Sequence, residues 1–220
     1  MSDLIHTPLH DAVVRPVRDQ HDRRQASFAL EEWFNNQVIA IDTETTGLDY
    51  HARVRLIQFG NAQEAFVFDP RQFPDLVQEL ITLMVRGGMW TMHNAPFDCL
   101  HLSKFTKEFG IHDIMKNVTD TQILAHLIDP REKIDGGIGH GLKELCASYV
   151  DANAPDGQQA LKARFKELGF TNANGFELIP LWDDIYIMYA GLYVILTARL
   201  VPKLIFEIKS SYAHLIDFEH

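Results

Sequence analysis

The sequence is poor in cysteine, with Cys99 and Cys146 its only two among 220 residues. Each lies in an apolar stretch with helical spacing, so we predict two free buried thiols rather than a disulfide. A chain without disulfides is typical of a reducing compartment, and we predict a cytoplasmic location. Neither C-x-x-C nor H-E-x-x-H spacing occurs among the cysteines and the 11 histidines, which argues against a zinc site.

Long apolar runs and an excess of positive charge are also missing. No run of 18 apolar residues occurs, so no membrane span is predicted, and residues 1–17 are too polar for a signal peptide. The chain carries 30 acidic side chains against 20 lysines and arginines, a formal net charge of −10. Proteins that grip long nucleic-acid duplexes are usually basic, so the charge argues against such a surface. The charge leaves open an enzyme that contacts a few nucleotides through metal ions.

Hydrophobic spacing predicts a group of strands followed by alternating helices and strands. Apolar runs at 38–41, 54–60 and 65–68, joined by short polar turns, predict an antiparallel meander. Residues 12–17 are typical of an edge strand, and residues 90–93 of a further strand. With 46% apolar residues, the chain is predicted to form one α/β domain. Its fold is expected to be a mixed five- to six-stranded sheet flanked by helices on both sides.

Local signals predict where several helices begin and end. Ser27 is a plausible N-cap of a first helix. Pro74 suits the first turn of a second helix, because proline has no N–H to leave unpaired there. A third helix is predicted from Ala95 to Gly110, which would end it. The apolar face expected for the second helix consists of Leu76, Val77, Leu80, Ile81 and Met84.

The second half of the chain is predicted to be mostly helical. Helices are expected at 121–128 and 141–150, and a long one from Leu181 to about residue 208. Residues 129–140 are rich in glycine but lack the G-K-[ST] of a phosphate loop, so we predict a loop or a helix start. Residues 151–180 have the composition of a variable insertion, with one amphipathic helix.

Two carboxylates stand at the end of an apolar strand, in VIAIDTETTGL at residues 38–48. Residues two apart in a strand point the same way, about 6.5 Å from each other. Asp42 and Glu44 therefore face one side, and burying both charges is costly unless something compensates them. All-oxygen ligands of this kind suit Mg²⁺ or Mn²⁺. The alternative is that Asp42 and Glu44 lie in an exposed turn.

Two further segments carry candidate site residues. In MHNAPFD, Asn94 and Asp98 are four residues apart at the start of a predicted helix, so Asp98 can face the same pocket as Asp42. Alternatively, Asp98 only complements the helix dipole and Asn94 only caps the helix. In YAGLYVILTARL, Tyr189 and Tyr193 share one face of the long helix.

These segments together resemble a known family. IDTETTGL, HNAPFD, VTDTQILAHLIDP and YAGLYVILTARL occur in the order found in 3′–5′ exonucleases of the DEDD superfamily, tyrosine-type branch. The sequence is most similar to the proofreading domain of bacterial and phage family-A DNA polymerases, and ribonuclease D is a relative. The resemblance covers residues 30–205, the expected core of a domain at 1–208. Residues 209–220 resemble the start of a polymerase linker.

The resemblance implies a ribonuclease-H-like fold and removal of nucleotides from single-stranded DNA 3′ ends by two-metal-ion hydrolysis. By motif, Asp42, Glu44 and Asp98 would be metal ligands for Mg²⁺ or Mn²⁺, and Tyr189 would orient the attacking water. The implied substrate-binding residues are Thr43, Leu48, Asn94 and Phe97, although Phe97 is equally compatible with the core. A polymerase domain or replication proteins are the implied partners.

The sequence departs from the family pattern at the fourth ligand. The motif Tyr-x-x-x-Asp would place aspartate at the position of Tyr193. Phenol has a pKa near 10 and is a poor ligand for a hard cation. Asp183 and Asp184 lie roughly 14 Å away along a helix, too far to substitute.

We therefore predict that the chain is severely impaired or inactive, and that it can still bind one metal ion through Asp42 and Asp98 where the family binds two. A naturally inactivated domain and a variant of an active enzyme are both possible explanations, and the otherwise intact motifs favour the variant. A ribonuclease D-like RNA exonuclease and a non-catalytic nucleic-acid-binding module remain alternative functions.

Overall fold

The computed structural model describes residues 4–9, 11–152 and 156–216, with side chains as far as Ser211. Its strands are β1 (Ile5–His6), β2 (Val13–Val17), β3 (Val38–Thr45), β4 (Val54–Gly60), β5 (Glu64–Phe68), β6 (Met89–Met92) and β7 (Val118–Asp120). They form one sheet in the order β1-β2-β5-β4-β3-β6-β7. β3, β4 and β5 are antiparallel neighbours, whereas β2 is parallel to β5 and β6 is parallel to both β3 and β7. The α/β class and the meander are confirmed.

The described sheet has seven strands rather than the five to six expected from the sequence. β1 and β7 contain two and three residues. Strands this short show no alternation of apolar and polar residues, so sequence spacing missed both of them. β1 also pairs with β2, so β2, which was predicted to be an edge strand, is the second strand of the sheet and β1 is at the edge.

Helices cover both faces of the sheet, as predicted. They are α1 (Gln20–Phe34), α2 (Pro74–Arg86), α3 (Ala95–Ser103), α4 (Ile111–Met115), α5 (Thr121–Ile128), α6 (Leu142–Tyr149), α7 (Gly157–Glu167), α8 (Gly175–Leu178) and α9 (Asp184–Ile216). A 3₁₀ turn spans Lys133–Asp135 in the glycine-rich loop. Pro74 opens α2 as expected, and the predicted apolar face of α2 is buried.

Two predicted helix ends are wrong. α1 begins earlier than expected, because the Asp19 carboxylate accepts hydrogen bonds from two backbone N–H groups of its first turn. Ser27 therefore lies inside α1, where its hydroxyl donates to Glu79 at 2.6 Å. α3 ends at Ser103, and Gly110 instead precedes α4 as its N-cap.

Alternation along β3 directs the two carboxylates to the α9 side of the sheet. Ile39 and Ile41 belong to the core under α1, α2 and α3, whereas Ala40 belongs to the core under α9. Because side chains of a strand alternate between faces, Asp42 and Glu44 share the side of Ala40.

α9 is the central helix of that second face, and it continues to Ile216 instead of ending near residue 208. By length and composition alone its Asp184–Ser211 part is able to cross a membrane, because it contains an 18-residue apolar stretch with a mean hydropathy of 1.5. However, 67% of that apolar stretch is buried inside the protein, as in a core helix. Gly191 allows α9 to approach β2 closely, since a Cβ there would lie 2.5 Å from the Val14 side chain.

The segment predicted as a variable insertion contributes to this core. Leu161 and Phe165 of α7 and Ile179 after α8 are buried in the cluster beneath α9. The proposed division of the chain into an exonuclease domain, an insertion and a tail stays a prediction.

The two cysteines lie in different parts of the core. Cys99 of α3 and Cys146 of α6 are both buried and free, which confirms the prediction of two thiols. Burial raises the pKa of each thiol to about 12, so both stay protonated at neutral pH. The predicted cytoplasmic location stays a prediction.

Candidate active site

The carboxylates of β3 are held by a glutamine on the neighbouring strand. Gln58 of β4 lies directly opposite Asp42 in the antiparallel register. Its side-chain amide donates to Asp42 Oδ2 and lies 3.5 Å from Glu44 Oε1. Gln58 is fully buried, and its Oε1 has no hydrogen-bond partner in the described part of the chain. One uncharged NH₂ group thus serves two acidic groups. Sequence analysis missed Gln58, although it interrupts an apolar strand.

Asp98 is fastened to β3 from the other side of the strand. Its Oδ1 accepts hydrogen bonds from the backbone N–H of Thr43 at 2.9 Å and from the Thr43 hydroxyl at 2.6 Å. Asp98 is only 2% exposed, so these two bonds satisfy a carboxylate that water scarcely reaches. The position expected to contact substrate, Thr43, therefore also orients the third acidic residue.

The start of α3 is held by an aspartate that sequence analysis left without a role. Asp120, at the end of β7, accepts hydrogen bonds from the backbone N–H groups of Asn94 at 3.1 Å and Ala95 at 2.8 Å. Asn94 has a left-handed backbone with φ of 67°, and its side chain makes no capping hydrogen bond. Asn94 is therefore not the capping group considered from the sequence. Asp120 fixes the entry of the chain into α3 and so the direction of Asp98.

The two tyrosines of α9 face the acidic cluster as a tilted pair of rings in contact. The ring centroids of Tyr189 and Tyr193 are 5.9 Å apart. Tyr193 also packs edge-on against His93, with 6.5 Å between ring centroids, and Tyr189 packs against Phe176 of α8 at 6.2 Å. Both side chains are half-buried, so the pair forms one wall of an open cleft.

All nine residues singled out in the sequence line this one cleft, which has a volume of about 860 Å³. They are Asp42, Thr43, Glu44, Leu48, Asn94, Phe97, Asp98, Tyr189 and Tyr193. Leu48 is 89% exposed at the rim, and Asp98 is deeply buried. α7 adds Gln158 to the lining, and the segment between α7 and α9 adds Asn172 and Phe176; the sequence identified none of the three. The cleft confirms that three distant segments meet, and the individual roles stay predictions.

Burial and mutual repulsion perturb the three carboxyl groups. Burial, together with Asp98 and Glu44, raises the pKa of Asp42 well above its usual range. Burial and Asp98 raise the pKa of Glu44 to about 8. Burial raises the pKa of Asp98 to about 7, although its bonds to Thr43 oppose the shift. Without a cation, the cluster holds protons near neutral pH, so a divalent ion would compete with protons for these oxygens.

The oxygen donors suit a hard divalent cation, but they are not already arranged as a complete metal site. Asp42, Glu44 and Asp98 supply carboxylate oxygens, which Mg²⁺ and Mn²⁺ prefer. Within the described ranges, however, no three histidine, cysteine or acidic side chains stand close enough to form a ready metal site. At the fourth position, burial raises the pKa of Tyr193 further above its usual value, so this phenol is a neutral oxygen.

Neither of the two aspartates at the start of α9, Asp183 just before the helix and Asp184 within it, replaces the missing ligand. Asp183 is buried against Arg164, with 2.8 Å between its Oδ2 and the arginine Nε. Asp184 is exposed, with its Oδ1 3.8 Å from a guanidinium nitrogen of Arg18. Both residues lie outside the lining of the cleft, as the helical distance predicted.

A mixed sheet covered on both faces, with acidic side chains on the inner strand β3, is typical of a ribonuclease-H-like fold. Residues 19–209 match the model of the 3′–5′ exonuclease domain of A-type DNA polymerases. The chain belongs to this 3′–5′ exonuclease family.

Two curated relatives are DNA polymerases of mycobacterial phages. The chain is 36% identical to that of phage L5 and 35% identical to that of phage D29, over 190 residues in each case. These matches cover 83% of this chain but only 31% of either polymerase. The chain therefore corresponds to less than a third of the length of these relatives.

Solved structures with the same fold are exonucleases of 18–20% identity, which supports the fold alone. Trypanosoma brucei RNase D has a TM-score of 0.65 and covers 87% of this chain and 64% of its own. Escherichia coli RNase D has a TM-score of 0.61, with 89% and 45% covered. Brucella melitensis NrnC with bound Mg²⁺ has a TM-score of 0.58, with 83% and 78% covered.

Proposed function

We propose that the chain is a proofreading-type exonuclease domain that takes the 3′ end of single-stranded DNA, and that Tyr193 impairs its hydrolytic step. The main observation in support of this proposal is the cleft in which Asp42, Glu44 and Asp98 face Tyr189 and Tyr193. The phage polymerase relatives support DNA as substrate and a polymerase domain or replication proteins as partners.

Asp42, Glu44 and Asp98 would hold Mg²⁺ or Mn²⁺ in the cleft. Bound divalent ions lower the pKa of a bound water, so that it can attack as hydroxide near neutral pH. They also stabilise negative charge on the leaving oxygen. Gln58 and Thr43 keep the carboxylates aimed into the cleft through the hydrogen bonds described above. Tyr189 would orient the attacking water, and its hydroxyl keeps its proton because burial raises its pKa well above the usual value.

Tyr193 impairs this arrangement in charge and in volume. Its phenol brings no negative charge to the fourth ligand position, and its ring fills space between His93 and Tyr189. Losing a residue that merely supports a metal ligand costs typically 10- to 100-fold in affinity or activity. Losing a ligand itself is expected to cost at least that much.

Restoring the carboxylate tests the proposal. Tyr193→Asp should raise hydrolysis of a 5′-labelled single-stranded DNA by at least about 10- to 100-fold in Mg²⁺ or Mn²⁺. Products should shorten one nucleotide at a time from the 3′ end. Adding Asp42→Asn to Tyr193→Asp should abolish the gain, which excludes a contaminating nuclease. No gain from Tyr193→Asp, in a variant that remains folded, would contradict the assignment of position 193.

RNA is the second candidate substrate, because solved neighbours include the RNase D of T. brucei in complex with RNA U12. The 2′-hydroxyl is the group by which a protein distinguishes RNA from DNA. Matched DNA and RNA strands of one sequence, digested in parallel by Tyr193→Asp, decide between the two. Faster cleavage of RNA would favour the ribonuclease D-like alternative.

A non-catalytic binding module is the third candidate, and Tyr193 is the observation that favours it. Such a module would hold a 3′ end without hydrolysing it. Binding that persists in Tyr193→Asp, with no cleavage of DNA or RNA in either metal, would support this reading over the exonuclease.

A further inference from the structure

An exposed tyrosine and a lysine lie where the cleft opens to solvent. The loop after β3 lines the cleft from Thr46 to Asp49, and Tyr50 follows directly with 60% of its surface exposed. The Lys104 ammonium lies 4.6 Å from the centre of the Tyr50 ring. The same ammonium donates a hydrogen bond to the Tyr50 carbonyl oxygen, which ties the loop to the end of α3.

A row of side chains connects this pair with the interior of the cleft. Lys104 Nζ lies 3.1 Å from Nδ1 of His101 on the preceding turn. The His101 ring packs against that of Phe97, with 4.7 Å between their centroids. Phe97 in turn lines the cleft beside Asp98. Because His101 is only 1% exposed, it lies beneath this surface, and a strand whose last nucleotide occupies the cleft would leave it past Phe97 and the loop that leads to Tyr50.

We propose that Tyr50 and Lys104 form a second nucleotide subsite for the strand upstream of the terminal nucleotide. Tyr50 stacks on a base, and Lys104 contacts a backbone phosphate. Proteins that bind single strands without sequence preference combine these two kinds of contact. The subsite rests on the proposed function, because it presumes that a 3′ end enters the cleft.

The charge of the surroundings explains why such a subsite is needed. The deep cleft presents three carboxyl groups, and the chain as a whole carries a formal net charge of −10. Asp49, which also lines the cleft, adds a further acidic side chain to the same loop. Stacking on Tyr50 is therefore expected to provide most of the added affinity, with Lys104 offsetting repulsion of the phosphates.

Length dependence separates this subsite from the cleft. The probes are thymidine monophosphate, which fills only the cleft, and a labelled hexathymidylate whose 3′ linkage is a phosphorothioate that resists hydrolysis. Tyr50→Ala should weaken binding of the hexamer about 5-fold or more, the effect of one stacked base, and leave the mononucleotide unchanged. Tyr50→Phe, the matched control, should bind both as the unaltered chain does.

Salt dependence tests the lysine separately. Lys104→Gln should reduce the slope of log Kd against log salt concentration by about 0.7 for the hexamer, the loss of one phosphate contact on a single strand. Lys104→Arg should retain the slope.

Two outcomes overturn the proposal in distinguishable ways. If the unaltered chain binds the hexamer and Tyr50→Ala leaves that affinity unchanged, or weakens the mononucleotide equally, Tyr50 only shapes the loop and the subsite is wrong. If the unaltered chain binds neither probe in Mn²⁺, the proposed function fails and the subsite fails with it.

Discussion

Thr43 donates both its backbone N–H and its hydroxyl to the same oxygen of Asp98, at 2.9 and 2.6 Å. Thr43 is in β3 between Asp42 and Glu44, whereas Asp98 is in α3 on a segment 55 residues away. The two bonds therefore couple the two acidic segments of the candidate site into one unit.

Removing the hydroxyl of Thr43 should weaken this unit. Thr43→Val keeps the shape of the side chain but leaves Asp98 with one donor fewer, so the free energy of unfolding should fall by about 1–3 kcal/mol. Thr43→Ser keeps the hydroxyl and should retain more of the stability. Urea unfolding followed by circular dichroism measures both. Equal stability of Thr43→Val and the unaltered chain would show that the bond contributes nothing net.

Gln58 should control metal affinity. Gln58→Leu removes the N–H donor shared by Asp42 and Glu44, and Mn²⁺ affinity should fall about 10- to 100-fold, as for other residues that support metal ligands. Titration calorimetry at constant pH gives the affinity. Gln122→Leu, a change in the same cleft but on α5, should have a smaller effect. Equal losses in the two variants would indicate a general effect on the cleft rather than support of the ligands.

Stability of the metal-free chain should decrease as pH rises above neutrality. The pKa values of Asp98 and Glu44 are raised to about 7 and about 8 in the folded state. Their full contribution to the free energy of unfolding is therefore present at pH values below their usual pKa values of 3.8 and 4.5. That contribution is lost as pH rises through about 7 and about 8, because the folded state must then release protons that the unfolded state has already lost.

His93 acts in the opposite direction over a lower range of pH. Burial lowers its pKa from 6.5 to about 4, so the stability it contributes is lost as pH falls through that interval. Thermal unfolding in EDTA from pH 6.5 upward therefore avoids the range in which His93 titrates, and Glu44→Gln separates the carboxyl groups from His140, whose pKa is raised by its hydrogen bonds to Asp129 and Glu132. The midpoint should fall with rising pH, and Glu44→Gln should make the fall shallower. A midpoint that stays constant, or rises, would contradict the raised pKa values.

A carboxylate at position 193 should destabilise the metal-free protein and respond to metal. Tyr193→Asp and Tyr193→Asn lose the same ring contacts, so their comparison isolates charge. Without metal at pH 8, the aspartate variant should be less stable by up to about 4 kcal/mol, the repulsion of charges 4 Å apart at an effective dielectric near 20.

Mn²⁺ should remove that difference. An ion at 100 times its dissociation constant stabilises the folded state by about 2.7 kcal/mol, and the aspartate variant should gain more than the asparagine variant. Differential scanning calorimetry with and without Mn²⁺ provides the comparison. A gain that is the same for both variants would show that side chain 193 does not ligate the ion.

Local signals predicted much of the structure correctly. Pro74 opens α2, α5 spans the predicted 121–128, and the meander of β3, β4 and β5 is present. The predicted helix start at Ser27 and helix end at Gly110 were wrong because residues with suitable cap chemistry occur in many places. Nearby hydrogen bonds decide which of them cap a helix. β1 and β7 were not predicted, because strands of two or three residues are too short to show an alternation of apolar and polar side chains.

The supporting residues of the site could not be predicted in the same way. Gln58 and Asp120 act through partners 16 and 26 residues distant along the chain, Asp42 and Asn94. Which side chains meet depends on strand register and on how α3 enters the fold. Neither is a property of a local stretch of sequence.

The amino-acid sequence by itself determined which residue types stand at the candidate site, including the tyrosine where the family motif has aspartate, because the motifs are contiguous in the chain. Only the tertiary structure decided how they are held: Asp98 on Thr43, two carboxylates on one buried amide, and Tyr193 between His93 and Tyr189. The reason is physical, since hydrogen bonds and ring contacts between distant segments arise only when the sheet and its helices pack together.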